Sequence, residues 1–179
     1  MNLANKITIT RLLMIPIFII ILLSDLNCKN ILSAVFFALA SLTDKLDGYV
    51  ARKYNQITSL GKFMDPLVDK VMVSSALIAL IQLGRIESWI VIIILAREFI
   101  VTGLRTVAAN KGIVIAANIY GKYKTTFQII AVILLMLNNY PFSLINFPLS
   151  TIMVYLALIT TVFSGIDYII KSKDFIFEK

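Results

Sequence analysis

The chain has 179 residues, of which 59% are hydrophobic and only 15% charged, and its mean hydropathy is +0.90. A soluble domain carries about 45–50% apolar and about 25% charged residues, so a soluble domain, a disordered chain, a coiled coil and a disulfide scaffold are all excluded. With no histidine, His-based acid–base catalysis, His metal ligation and Ser-His triads are out of reach, and the single cysteine, Cys28, cannot close an internal disulfide. A net charge of +7 on so apolar a chain marks the cytoplasmic side of a membrane protein rather than a nucleic-acid partner.

A membrane-spanning helix needs about 20 mostly apolar residues. Residues 2–11 mix Leu3 and Ile7 with Asn5, Lys6, Thr8 and Arg11, which predicts an interfacial amphipathic helix leading into a short first span. Lys6 and Arg11 ahead of Leu12–Leu23 imitate a signal peptide, but no small-x-small cleavage site follows, so the segment is expected to stay in the mature chain. Further apolar stretches run from Leu12 to Ser24, Ile31 to Val50, Pro66 to Leu83 and Trp89 to Ala109. A fifth helix is expected to open at Gly121-Lys122-Tyr123-Lys124-Thr125. Thr125 to Ile166 is then 42 residues without a formal charge, enough for two spans, broken by turn formers between Asn138 and Pro148. The expected architecture is an all-α integral membrane protein in one domain: an interfacial helix over 1–11, six transmembrane helices over 12–170 and a cytoplasmic tail over 171–179.

Threading six spans from an inside N-terminus leaves only Lys29 and Arg85 of the 17 basic residues on the outer side. That asymmetry predicts a bacterial cell-membrane protein with both termini in the cytoplasm.

Charged side chains inside membrane helices cost about 2.5–3.5 kcal/mol each and usually serve a function. Asp44, Asp47, Asp65 and Asp69 lie within 26 residues, at the facing ends of the second and third spans. Helical spacing puts Asp44, Asp47, Gly48 and Ala51 on one stripe, and Gly61, Asp65 and Asp69 on another. Pro66 is easiest to place in the first turn of the third helix. Converging carboxylates repel unless cations join them, and oxygen ligands without sulfur or imidazole suit Mg²⁺, Mn²⁺ or Ca²⁺. Gly48 and Ala51 leave room beside the backbone, and Arg52 offers a planar fork for phosphate oxygens, which together describe a diphosphate site. The alternative, interfacial acids neutralised by Lys45, Lys53, Lys62 and Lys70, explains any one of them better than all four.

Asp44-Lys-Leu-Asp47-Gly48-Tyr-Val-Ala51-Arg52, eight residues, and Gly61-Lys-Phe-Met-Asp65-Pro-Leu-Val-Asp69 resemble the signature of the CDP-alcohol phosphatidyltransferase family, D-x2-D-G-x2-A-R-x8-G-x3-D-x3-D. All eight fixed positions are present. The resemblance implies that Asp44, Asp47, Asp65 and Asp69 surround two divalent cations, Mg²⁺ or Mn²⁺, with Asp69 also acting as the base for the acceptor hydroxyl. It further implies that Gly48, Ala51, Gly61 and Arg52 hold a CDP-diacylglycerol substrate, and that the chain forms a homodimer whose sites open to the cytoplasm. Asn5, Thr8 and Arg11 resemble the N-x2-T-x2-R run found near the nucleotide in that family, although an amphipathic interfacial helix explains them equally well.

Ala96-Arg97-Glu98-Phe99, Gly103-Leu104-Arg105 and the Gly121–Thr125 run resemble the bacterial phosphatidylglycerophosphate synthase branch, and so does Asp65-Pro66-Leu-Val-Asp69-Lys70. By that resemblance Arg105, Lys122 and Lys124 would bind the phosphate of glycerol 3-phosphate; the alternative is plain topology charge. If the fifth helix already includes residue 122, Lys122 and Lys124 point about 200° apart. Glu98, Thr102 and Arg105 share a stripe of the fourth span, and Arg97, too deep to snorkel, is expected to face Glu98, a neighbouring helix or a wet cavity. Inositol phosphate, serine or phosphatidylglycerol as acceptor keeps the same reaction type. A cation transporter is the rival from another class, but the outer half of the spans is almost free of charge and no inverted repeat of the acid motif follows.

Overall fold

The computed structural model describes the backbone of residues 3–53, 59–110 and 119–176, and the side chains of residues 10, 12–42, 68, 70–109 and 119–172. Six α-helices make up the described chain: α1 (Leu3–Leu23), α2 (Lys29–Lys53), α3 (Ser59–Gln82), α4 (Ser88–Asn110), α5 (Ile119–Met136) and α6 (Leu149–Ile176). A 3-10 turn over Phe142–Ile145 lies between the last two. The helix α1 packs on α2 and α3, α6 packs on α5 and α4, and α2 and α3 both reach α5 in the middle.

Three helix boundaries depart from expectation. The first helix runs unbroken from Leu3 through Leu23, so residues 3–11 continue into the apolar segment as one rod. No glycine or proline interrupts residues 3–15, and Pro16 forfeits only one intrahelical bond. The third helix opens at Ser59, which places Pro66 in its interior rather than its first turn. At the far end α6 extends to Ile176, so residues 171–176 of the expected tail are helical.

The short connections are closed by left-handed residues. Gly84, with φ +67°, ends α3: its N–H bonds to Ile81 O at 2.9 Å, and Arg85 N–H reaches Leu80 O at 2.9 Å. Asn138, with φ +53°, ends α5 in the same way, with N–H bonds to Leu135 O at 3.2 Å and, from Asn139, to Leu134 O at 2.8 Å. Asn139 then clamps the hairpin, donating from Nδ2 to Phe147 O at 2.7 Å and accepting from Ser150 N–H at 2.9 Å. Arg85, in the connection between α3 and α4, ties the end of α5 to the start of α2. It donates to the carbonyls of Leu135 and Met136 at 3.1 and 2.8 Å, and to Asn30 Oδ1 at 2.9 Å. The last carbonyls of α5 lack helical donors and carry partial negative charge, which a guanidinium answers. Burial lowers the pKa of Arg85 from its ordinary value.

The core is a continuous apolar cluster in which Phe18 of α1, Phe37 of α2, Leu77 and Leu80 of α3, Ile94 of α4, and Val132 and Met136 of α5 are fully buried. Phe18 and Phe37 stack as a tilted pair with centroids 6.1 Å apart. Many large apolar side chains also face outward: Ile20, Ile31, Ile92, Phe163 and Ile170 are all exposed. An exposed apolar surface of that extent has to be met by something other than water. Among the described residues, one helix is long and apolar enough by itself to cross a membrane: α6, over Leu149–Ser172. Shorter apolar stretches occupy Leu12–Leu23, Lys29–Leu42 and Lys70–Gln82. Arg97, Glu98 and Arg105 interrupt α4, and Lys122 and Lys124 interrupt α5.

Candidate active site

The two halves of the acidic motif are carried on helical backbone. Asp44, Asp47, Gly48, Ala51 and Arg52 fall in α2, and Gly61, Asp65 and Asp69 in α3. Asn5 and Thr8 fall in α1. The side chains of all these residues lie outside those described.

Immediately beside the motif is a cavity of about 110 Å³ between α2, α3, α4 and α5. Ser41 of α2, three residues before Asp44, and Lys70 and Val73 of α3, one and four residues after Asp69, form part of its wall. Helical spacing therefore puts Ser41 on the face of Asp44, and Val73 on the face of Asp69. Ser74 of α3, Glu98 from α4 and Lys124, Thr125 and Gln128 from α5 complete the polar lining.

Glu98 is the electrostatic centre of this cavity. Lys70 Nζ stands 2.7 Å from its Oε2, while Lys124 Nζ pairs with Oε1 and Arg97 Nη1 lies 3.4 Å from the same oxygen. Three helices thus place cations around one carboxylate, and Lys124 is buried there with 3% of its surface exposed. So little water surrounds Lys124 that its ammonium requires a counter-charge or an anionic ligand. Thr102 Oγ1 donates to the Glu98 carbonyl at 2.6 Å, a bond back along α4.

Besides Glu98, Arg97 reaches from α4 toward α5 and α6, as its depth in the span predicts. Its Nη2 bonds to Ser164 Oγ, and its guanidinium carbon lies 5.5 Å from the Tyr168 ring centroid. Two glycines make room for it. A β-carbon on Gly165 would sit 3.1 Å from Arg97 Cγ, and one on Gly121 would sit 3.7 Å from Nη2. Arg105, two turns further along α4, also faces Tyr168, at 5.9 Å.

The structure thus separates the three cations expected at an acceptor phosphate. Lys124 lines the cavity, Arg105 is exposed beside Tyr168, and Lys122 is exposed. Because α5 opens at Ile119, Lys122 and Lys124 are both helical and diverge. Lys70, Glu98 and Gln128 join the site as residues the motif does not contain. The signal for them in the sequence is polarity inside apolar helices, with Gln128 between Phe127 and Ile129 as its plainest case.

The sequence pattern of the CDP-alcohol phosphatidyltransferase family matches residues 1–163 of this chain. The chain belongs to that family, which is membrane-associated and generally dependent on divalent cations. Among curated relatives, it is 47% identical to a CDP-diacylglycerol–glycerol-3-phosphate 3-phosphatidyltransferase of Bacillus subtilis, over 96% of this chain and 95% of that one. It is 36% identical to the protein of the same name from Rickettsia bellii, over 93% of each chain. It is also 37% identical to a probable phosphatidylglycerophosphate synthase of Mycobacterium tuberculosis, over 96% of this chain and 81% of that one.

Proposed function

We propose that the chain transfers the phosphatidyl group of CDP-diacylglycerol to glycerol 3-phosphate, giving phosphatidylglycerophosphate and CMP. The observation that carries this reading is the full eight-position motif on α2 and α3, beside a cavity lined with lysines. Near full-length similarity to relatives named for the same reaction supports it.

The donor set fits hard cations. The motif supplies four carboxylates, the chain has no histidine, and its one cysteine is exposed in the connection between α1 and α2. Asp44, Asp47, Asp65 and Asp69 would hold two ions, Mg²⁺ or Mn²⁺, which when bound neutralise phosphate charge and acidify a hydroxyl. Arg52 would grip the diphosphate through its planar fork, and Gly48, Ala51 and Gly61 would let the nucleotide approach the helix backbone. Asn5 and Thr8 would lie near the cytidine. Arg105, Lys122 and Lys124 would draw in the acceptor phosphate, with Lys124 at the cavity wall and the other two along its approach.

In the transfer, the acceptor hydroxyl gives its proton to Asp69 while its oxygen attacks the β-phosphorus, the one esterified to diacylglycerol. The new P–O bond forms as the bond to the bridging oxygen breaks, and CMP leaves with that electron pair. Such a reaction is catalysed mainly by positioning and charge stabilisation. Its reactants also explain the architecture: six membrane spans, including the short apolar stretches of α1 to α3, would leave the diacylglycerol tails in lipid while the polar groups meet at the cytoplasmic interface. Both termini would face the cytoplasm, and two copies would form a homodimer with one site each.

Purified protein incubated with radiolabelled CDP-diacylglycerol and one alcohol at a time tests the reading. Phosphatidylglycerophosphate with glycerol 3-phosphate alone is expected, whereas phosphatidylserine, a phosphatidylinositol product or cardiolipin would reassign the acceptor.

A further inference from the structure

Gln128 lies on α5, flanked in sequence by Phe127 and Ile129, with 3% of its surface exposed. Gln128 is one of the residues around the cavity, and its Nε2 is buried with no hydrogen-bond partner. A buried N–H left in that state costs about 1–3 kcal/mol, and native proteins leave few of them unanswered. The cavity of about 110 Å³ is ample for an answering group, since a single water needs roughly 10–15 Å³. Its other polar members are Lys70 and Lys124, both paired with Glu98, and the hydroxyl residues Ser41, Ser74 and Thr125. Two lysines against one carboxylate leave the cavity a net positive charge, and with hydroxyls and an amide beside them they complement a small polyol bearing an anionic group.

Ser41 lies three residues from Asp44, about 4.5 Å along α2, and Lys70 and Val73 lie one and four residues from Asp69, about 1.5 and 6 Å along α3. A three-carbon acceptor can bridge those distances, with its reacting hydroxyl toward the motif and its remaining hydroxyl in the cavity.

We propose that Gln128 determines acceptor specificity by binding, through its side-chain amide, the hydroxyl of the acceptor that does not react, which in glycerol 3-phosphate is the one on the central carbon. Ser41 and Ser74 complete the pocket for it. This inference rests on the proposed function and adds to it how the polyol is told from a plain alcohol phosphate. A pocket built to bond a hydroxyl rejects an analogue lacking it, because its own polar groups are then left unpaired.

The test compares kcat/KM for glycerol 3-phosphate and for 3-hydroxypropyl phosphate, which keeps the phosphate and the reacting hydroxyl but lacks the central one. The wild-type protein is expected to prefer glycerol 3-phosphate by about ten- to hundredfold. In Gln128→Leu the preference should fall to within about threefold, through loss of activity on glycerol 3-phosphate alone. Gln128→Met, which keeps length and volume, gives the same reading should the leucine variant fail to fold, and the wild-type ratio needs no variant. A wild-type protein indifferent to the missing hydroxyl, or variants that retain the full preference, would overturn the proposal. A wild-type protein that converts neither acceptor would overturn the proposed function instead.

Discussion

Lys70 Nζ on α3 stands 2.7 Å from Glu98 Oε2 on α4, and the other oxygen of that carboxylate pairs with Lys124 on α5. One acid therefore fixes two lysines from two further helices at the wall of a single cavity. Removing Glu98 takes from both lysines a carboxylate that each touches, and for Lys124 little water is at hand to replace it. Glu98→Gln and Lys124→Met are each expected to lower the thermal midpoint in detergent. The double variant should lose less than the sum, with a coupling of about 0.5–3 kcal/mol. Additive losses would mean that the pair does not act as a unit.

Gly165 gives a sharper test of packing. An added β-carbon would meet Arg97 Cγ at 3.1 Å, a mid-chain atom held by the bond to Ser164 and the contact with Tyr168. Gly165→Ala is expected to destabilise by about 1–3 kcal/mol, as small-to-large changes in packed interiors do. Gly103 lies in α4, and a β-carbon there meets nothing within 4 Å. Gly103→Ala should leave the thermal midpoint unchanged or raise it, because alanine favours the helix by about 0.8–1 kcal/mol over glycine. Equal effects of the two substitutions would contradict the close approach of α4 and α6.

Arg105 is exposed beside Tyr168, near the end of α4. If it draws in the acceptor phosphate, Arg105→Ala should raise the KM for glycerol 3-phosphate by about tenfold or more, the worth of a charge-assisted hydrogen bond, and leave that for CDP-diacylglycerol nearly unchanged. Steady-state kinetics with each substrate varied in turn separates the two. Equal increases would assign the residue to the fold or to the donor.

Much of this was legible in the sequence because it depends on local rules. The turn formers between Asn138 and Pro148 separate α5 from α6, and the polar breaks predict the order of helices to within a few residues. The helix expected over the first residues is there and runs on without a break into the apolar segment, whereas Pro66, expected in a first turn, lies inside α3, because a helix runs past a proline when no competing turn stops it. The motif on α2 and α3 is visible because its members are close in sequence. The depth of Arg97 likewise forecasts a partner on Glu98 or a neighbouring helix, and the structure supplies both. What sequence spacing cannot express is convergence across helices. Lys70, Glu98 and Lys124 are separated by more than twenty residues at each step, and nothing local marks Glu98 as their shared partner. Gly165 reads as an ordinary small residue until the side chain of Arg97 is seen lying over it.

The central claim is that the acids of α2 and α3 perform the transfer, and CMP release measures it directly. With CDP-diacylglycerol, glycerol 3-phosphate and Mg²⁺ or Mn²⁺, the wild-type protein should release CMP and form phosphatidylglycerophosphate in equal amounts, and chelation of divalent cations should stop both. Asp69→Asn should still bind CDP-diacylglycerol yet release CMP at least about a hundredfold more slowly, in the range expected for loss of a general base. Near-normal CMP release by Asp69→Asn, or undiminished synthesis after chelation, would contradict the account.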